Sequence, residues 1–254
     1  MLAIFKKGTV QPPTELNSPA PFKSGVKPAK MPEEIVKDFS SSNPGNSMSF
    51  DFSNSAVIAF SQAQKTTSSH QRMFCGVDGI YCTFIGSLHN LSGLIKQYGL
   101  SKSTNEAMFV IEAYRTLRDR SPYPADQVLK ELDGSYGFVI YDSTVGTAFV
   151  SLSADDGVKL YWGVAADGSV VICDNKSVVK GGCAKSYAPF PAGCMFHSVG
   201  GLKSFEHPTK KMKAMPRVDS EGFLCGSSFK VDTFSKINSM PRVGSAANWE
   251  PWSS

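Results

Sequence analysis

Six cysteines (Cys75, Cys82, Cys173, Cys183, Cys194, Cys225), four histidines (His70, His89, His197, His207) and the pair Asp155 and Asp156 are the side chains best able to do chemistry. A thiolate can attack an acyl carbon, and an imidazole can move a proton. Adjacent carboxylates can divide acid and base roles or hold a hard cation. The spacing supports little of this. No Cys-x-x-Cys pair occurs, so zinc and dithiol redox motifs are not indicated, and the thiols read as small hydrophobes. The histidines show no metal-ligand spacing. Asp155 and Asp156 run into Gly157, which reads as a turn with solvated carboxylates. No acidic cluster is dense enough for a cation site, so neither metal nor cofactor is expected.

Two charged stretches invite an interaction reading. Leu117-Arg118-Asp119-Arg120 closes a helical pattern: Leu117 belongs to the apolar stripe, while Arg118, Asp119 and Arg120 suit helix-end ion pairs or a protein contact. Lys203, Lys210, Lys211, Lys213 and Arg217, against Glu206 alone, read as a solvated loop. They lack the interleaved aromatics or helical period of a nucleic-acid site.

The elements that must position these groups follow from periodicity. With 254 residues, 41% hydrophobic and 19% charged, the chain can build a real core. A net charge of +4 does not itself point to nucleic acid or membrane. Lys6 and Lys7 interrupt the first apolar run, so no secretory leader is expected, and no apolar run approaches the ~18 residues of a membrane span. The cytoplasm, with the nucleus as a second compartment, is the expected location.

Residues 1–5 form a strand candidate, and residues 8–55 read as a long Pro/Ser-rich irregular insert interrupted by one helix opening at Pro32. Strands are expected near 56–60, 73–76 and 80–85, with Asp78-Gly79 as a hairpin turn. Helices follow at 91–98, from a capping box at Ser103–Glu106 to Pro122, and near 125–132. A second strand series without helices is expected at 136–141, 148–152, 159–164, 170–173, 194–199, 201–205 and 223–229. Strands, helices and strands again make an α+β pattern of two packed antiparallel sheets with helices outside. The expected domain covers 1–235, with 236–254 as a tail carrying Trp249 and Trp252.

Several stretches, in order, resemble the glutamine-hydrolysing domain of class II amidotransferases. They are "MLAIF" (1–5), "AVIAFSQ" (56–62), "FIGSLHN" (84–90), "LIKQYG" (94–99), "STNE" (103–106), "LDGSYGFVIYD" (132–142), "DDGVKLYWG" (155–163) and "PFPAGCMF" (189–196). Over nearly the whole length the chain also resembles a plant family, the aluminium-induced proteins with YGL and LRDR motifs. That likeness rests on Tyr98-Gly99-Leu100 and Leu117–Arg120, with "MLAIF", "QPPTELNSP" (11–19) and "PRV" (241–243) in support. The first resemblance implies a four-layer αββα sandwich of the N-terminal-nucleophile type. The second implies a setting in aluminium, auxin, dark and sugar-starvation responses.

The amidotransferase mechanism needs a thiol beside a free α-amine, donors for an oxyanion, and clamps for the substrate carboxylate and ammonium. The resemblance places the nucleophile at Leu2, the oxyanion asparagine at Ile85 beside a retained Gly86, the loop glutamate at Ser87, the arginine at Gln62 and the aspartate at Thr104. A leucine has no lone pair with which to attack. Leu2 and Ile85 are therefore expected to plug the old pocket, with Gly86 N–H still pointing inward. The expected function is binding without catalysis, through self-association or a protein partner. Two alternatives stand beside it: an amidohydrolase rebuilt around Cys75, Cys82, Ser87 or His89, and an amino-acid sensor that does not cleave.

Overall fold

The computed structural model describes residues 1–17, 28–45, 47–62, 70–119, 125–155, 157–218 and 224–236. Expectations for Arg120, Pro122, Asp156, residues 241–243 and the tail 237–254 lie outside the described residues.

β1 (Leu2–Phe5) runs through the middle of a six-stranded antiparallel sheet, and every side chain in it is buried. Its neighbours are β3 (Ala56–Ser61) and β9 (Val170–Cys173). Beyond β3 lies β2 (Ser47–Asp51); beyond β9 lie β8 (Tyr161–Val164) and β10 (Tyr187–Pro189). The second sheet holds β4 (Arg72–Val77), β5 (Ile80–Leu88), β6 (Gly134–Asp142), β7 (Thr147–Leu152), β11 (Cys194–His197) and β12 (Gly201–Ser204). Its order is β12-β11-β7-β6-β5-β4, again antiparallel throughout. The β4–β5 turn is the expected one, with Asp78 and Gly79 both at positive φ (50° and 78°).

Strand alternation sorts the side chains into layers. Phe5, Val139, Tyr141, Val150, Trp162 and Ile172 meet between the sheets. Rings of Phe190, Phe196 and Phe229 stand edge-on to Trp162. On the outer face of the first sheet lie α1 (Pro32–Ser42) and α5 (Lys176–Cys183), with Ile35, Phe39, Val178 and Val179 against Leu2 and Ile4. On the outer face of the second lie α2 (Leu91–Gln97), α3 (Glu106–Asp119) and α4 (Ala125–Lys130). The architecture is the expected αββα sandwich. A two-stranded ribbon of β13 (Lys210–Val218) and β14 (Leu224–Lys236) adds Phe229, Met212 and Ala214 to the central layer.

Four local expectations need correction. The insert 8–55 is not only irregular: besides α1 it contains β2, and Val10 and Leu16 anchor it, each at most 1% exposed. The second strand series is interrupted by α5. Two valines and two glycines make that segment a poor helix by propensity, so the Asn175 cap, accepting from Ser177 N at 2.9 Å, and packing on the first sheet must hold it. The basic stretch is largely strand β13: Lys211 and Lys213 face solvent while Met212 and Ala214 face the core. The cap of α3 is Asn105, whose Oδ1 accepts from Met108 N at 2.9 Å, two residues past the expected start.

Candidate functional site

The sequence resemblance expects the site where β1 begins. There the Met1 ammonium donates to Asp174 Oδ1 at 2.8 Å, and Arg72 Nε donates to Asp174 Oδ2 at 2.7 Å. The Asp174 side chain is 4% exposed. Burial opposes its charge, yet the ammonium and Arg72 outweigh burial and hold the carboxyl below the usual carboxylate range. Arg72 comes from β4 of the second sheet and Asp174 follows β9 of the first, so the carboxylate ties the two sheets together around the amine.

Leu2 pairs in register with Ala59 and Cys173 and is fully buried. Alternation along β1 sends Met1, Ala3 and Phe5 into the central layer and Leu2 and Ile4 into the outer layer beneath α1 and α5. Ile85 faces the central layer. The two residues therefore do not plug one pocket together, and Met1 is the residue that enters the space between the sheets.

The other positions of the expected site do not converge either. Gly86 N–H is committed to the Gln71 carbonyl at 2.9 Å, against the expectation of a donor pointing inward. Glycine is required there: φ is +110°, and a Cβ would stand 2.0 Å from the Ser135 carbonyl oxygen. Ser87 is exposed on β5, and Gln62 is exposed just past β3. Thr104 is buried in the turn leading into α3, on the outer side of the second sheet, with its N–H bonded to the Ser101 carbonyl at 3.0 Å.

None of Cys75, Cys82, Cys173, Cys183 and Cys194 is primed as a nucleophile. Cys173 adjoins Asp174, with Sγ 3.7 Å from Asp174 Oδ1 and accepting from Asn175 N. It is fully buried, and burial first, then the Asp174 charge, push its thiol up to about 12. Burial likewise raises Cys75, Cys82 and Cys183, and takes Cys194 to about 12. His89 is exposed, 3.9 Å from Asp133, while burial and then Lys203 hold the His197 imidazole below its ordinary value. Asp155 accepts from the hydroxyls of Ser135 and Ser153 and from Gly157 N at 3.3 Å. Among the described residues no group of three His, Cys, Asp or Glu side chains could hold a metal ion. No described helix is long and apolar enough to cross a membrane.

Arg118 proves structural in its contacts. Its Nη1 donates to Asp142 Oδ2 at 3.0 Å and its Nε to Asp119 Oδ1 at 2.8 Å. Asp142 is fully buried between β6 and β7, and Tyr114 of α3 donates to it at 3.3 Å. The end of α3 is thereby fastened to the sheet, while Asp119 stays exposed.

Sequence reasoning passed over Arg72 and Asp174. They lie 102 residues apart, and neither belongs to a motif. One signal was available: Asp174 directly follows the apolar strand Val170–Cys173, where a carboxylate at a buried strand end needs a partner.

The family described as aluminium induced protein matches residues 2–231. The stem-specific protein TSJT1 of Nicotiana tabacum is 39% identical over 153 residues, covering 59% of this chain and 99% of that protein. Among solved structures, glutamine phosphoribosylpyrophosphate amidotransferase from B. subtilis is similar with a TM-score of 0.45 and 18% identity. The match covers 60% of this chain and 35% of that one. A glutamine aminotransferase class-II domain protein from Silicibacter pomeroyi follows with a TM-score of 0.39 and 9% identity, covering 79% of this chain and 88% of that one. The chain thus spans about a third of the length of the first of these structures and nearly all of the tobacco relative.

Proposed function

This chain belongs to the aluminium-induced protein family, and from that membership we propose that it is a binding protein that keeps an amidotransferase-like frame without hydrolysing amides. The observation that carries this reading is Leu2: where the resemblance expects the attacking thiol, a fully buried aliphatic side chain lies beneath α1 and α5. The engaged N–H of Gly86 supports it. A rebuilt thiol enzyme is disfavoured by the raised thiols, because the thiolate is the attacking species. An amino-acid sensor is disfavoured by the scattering of Gln62 and Thr104, which offer no paired clamp.

The binding role is self-association or contact with a protein partner. Exposed apolar side chains support it: Met215, Val218 and Phe234 on the β13–β14 ribbon and Val199 beside β11, the last 83% exposed. Its proposed setting is a response to aluminium, with hormone and sugar stress as related settings, in keeping with a family described as aluminium induced. The test is incubation of the pure protein with glutamine and with asparagine, followed by assay of released ammonia. No turnover above buffer is expected; turnover abolished by a thiol reagent overturns the reading. Light scattering across a concentration series tests self-association, and a strict monomer throughout leaves only the partner.

A further inference from the structure

A cleft of about 630 Å³ opens where β8, β10, α5 and the β13–β14 ribbon meet. Its volume is that of a small-molecule site. Four cations from four separate segments stand around it: Lys159, Lys176, Arg217 and Lys230. Among the described residues that line it the one carboxylate is Asp155, and its oxygens are already engaged by Ser135, Ser153 and Gly157 N. Lys159, Lys176 and Lys230 are exposed and make no ion pair among the described residues.

Arg217 is held in place. Its Nη1 donates to the Tyr187 carbonyl at 2.6 Å, and its guanidinium carbon lies 4.5 Å from the centre of the Tyr187 ring. That posture fixes the guanidinium and leaves further N–H donors for a ligand. Lys176 sits in the first turn of α5, whose N-terminal dipole adds to the positive field. The rest of the lining is mostly carbon. Leu152, Val158, Leu160, Phe190 and Phe229 contribute buried carbon, and Tyr161 contributes a partly exposed ring.

Like charges gathered over an apolar cleft repel one another unless an anion joins them. A single carboxylate satisfies one or two of these groups. A phosphate monoester carries nearly two charges and three acceptor oxygens, which suits several cations converging from different segments. The apolar lining leaves room for more than the phosphate, and the partly exposed ring of Tyr161 favours a flat partner. We infer that this cleft binds an organic phosphate carrying a planar ring, of about mononucleotide size. The site is separate from the Met1–Asp174 pair, so it stands or falls independently of whether the chain hydrolyses amides.

Calorimetric titration at low and moderate salt tests it, with AMP, ribose 5-phosphate, adenosine and inorganic phosphate as the probes. AMP is expected to bind saturably. Ribose 5-phosphate, adenosine and inorganic phosphate are each expected to bind at least ten-fold more weakly, because each lacks the ring or the phosphate. The double variant K176E/K230E should weaken AMP binding at least ten-fold. K96E, a charge reversal on exposed α2 away from the cleft, should leave it within two-fold. Circular dichroism and Tm confirm that each variant is folded, and if the double variant is not, K176Q alone replaces it with a five-fold loss expected. Absence of saturable AMP binding overturns the inference. So does binding that is indifferent to the cleft substitutions, or an equal loss in K96E, which marks unspecific attraction to a basic protein.

Discussion

The main-chain nitrogen of Met1 and the carboxylate of Asp174 lie 2.8 Å apart, although 173 residues separate them in the chain. Arg72 closes the arrangement from the opposite sheet, so one buried carboxylate answers two cations. Removing one partner of a buried pair typically costs ~3–5 kcal/mol, because the charges left behind stay desolvated. Asp174→Asn should therefore lower stability by about that amount in urea unfolding. A loss under 1 kcal/mol would show that the pair is not holding the sheets together.

Stability should also depend on pH in a defined direction. Asp174 and Asp142 are both held below the usual carboxylate range: burial opposes this in each case, but the ammonium and Arg72 prevail at the first, Thr144 and Arg118 at the second. A carboxyl depressed in the folded state stabilises above its unfolded value of ~3.9 and loses that contribution as pH falls through the folded value. Tm is expected to change little between pH 7 and 5 and to fall progressively below pH 4. Asp174→Asn should show a shallower acid limb; a limb as steep as that of the parent would exclude Asp174 as its source.

Leu2→Cys places a thiol at the position where the family resemblance expects one. The strand alternation of β1 aims that side chain beneath α1 and α5, away from Ile85 and the space between the sheets. The variant should lose ~1–3 kcal/mol from the smaller buried side chain and gain no glutaminase activity. Ammonia release from glutamine in this variant would mean that residue 2 can reach the central space after all.

Within Leu117–Arg120, the two central residues should behave differently. Arg118→Ala leaves the fully buried Asp142 without its cation and should cost ~1–3 kcal/mol. Asp119 is exposed, and Asp119→Ala should leave Tm unchanged within error. Equal losses at both positions would make the motif a surface network instead of a fastening for α3.

Gly86→Ala should fail to give soluble folded protein at 37 °C. The position needs a φ of +110°, and an added methyl would sit on the Ser135 carbonyl. Recovery of folded protein with a parental Tm would show that β5 and β6 can shift locally.

Much of the fold was legible because its elements announce themselves locally. The Asp78-Gly79 turn, the Ile35 and Phe39 face of α1 and the Leu94 and Ile95 face of α2 are short-range signals, and the structure has them where periodicity put them. α5 was hidden because Val178, Val179, Gly181 and Gly182 argue against a helix that tertiary contacts nevertheless hold. β13 was hidden because its lysines read as solvated loop, although Met212 and Ala214 alternate with them. The site was less legible still. Sequence resemblance names which residue stands at position 2, but the direction of its side chain depends on the partners β1 finds. The pairing of Arg72 with Asp174 depends on the whole sandwich closing.

The place of β1 between β3 and β9 has a consequence for how the molecule is made. One flank of the strand can be covered as soon as Ala56–Ser61 is available, but the other waits until Val170–Cys173 has left the ribosome. Until then a segment made long before its second partner carries an open edge, the kind of surface on which chaperones act and stray strands pair. Assembly should accordingly be slow for the protein's size, and its yield in a cell-free system should rise when a holdase is supplied during translation.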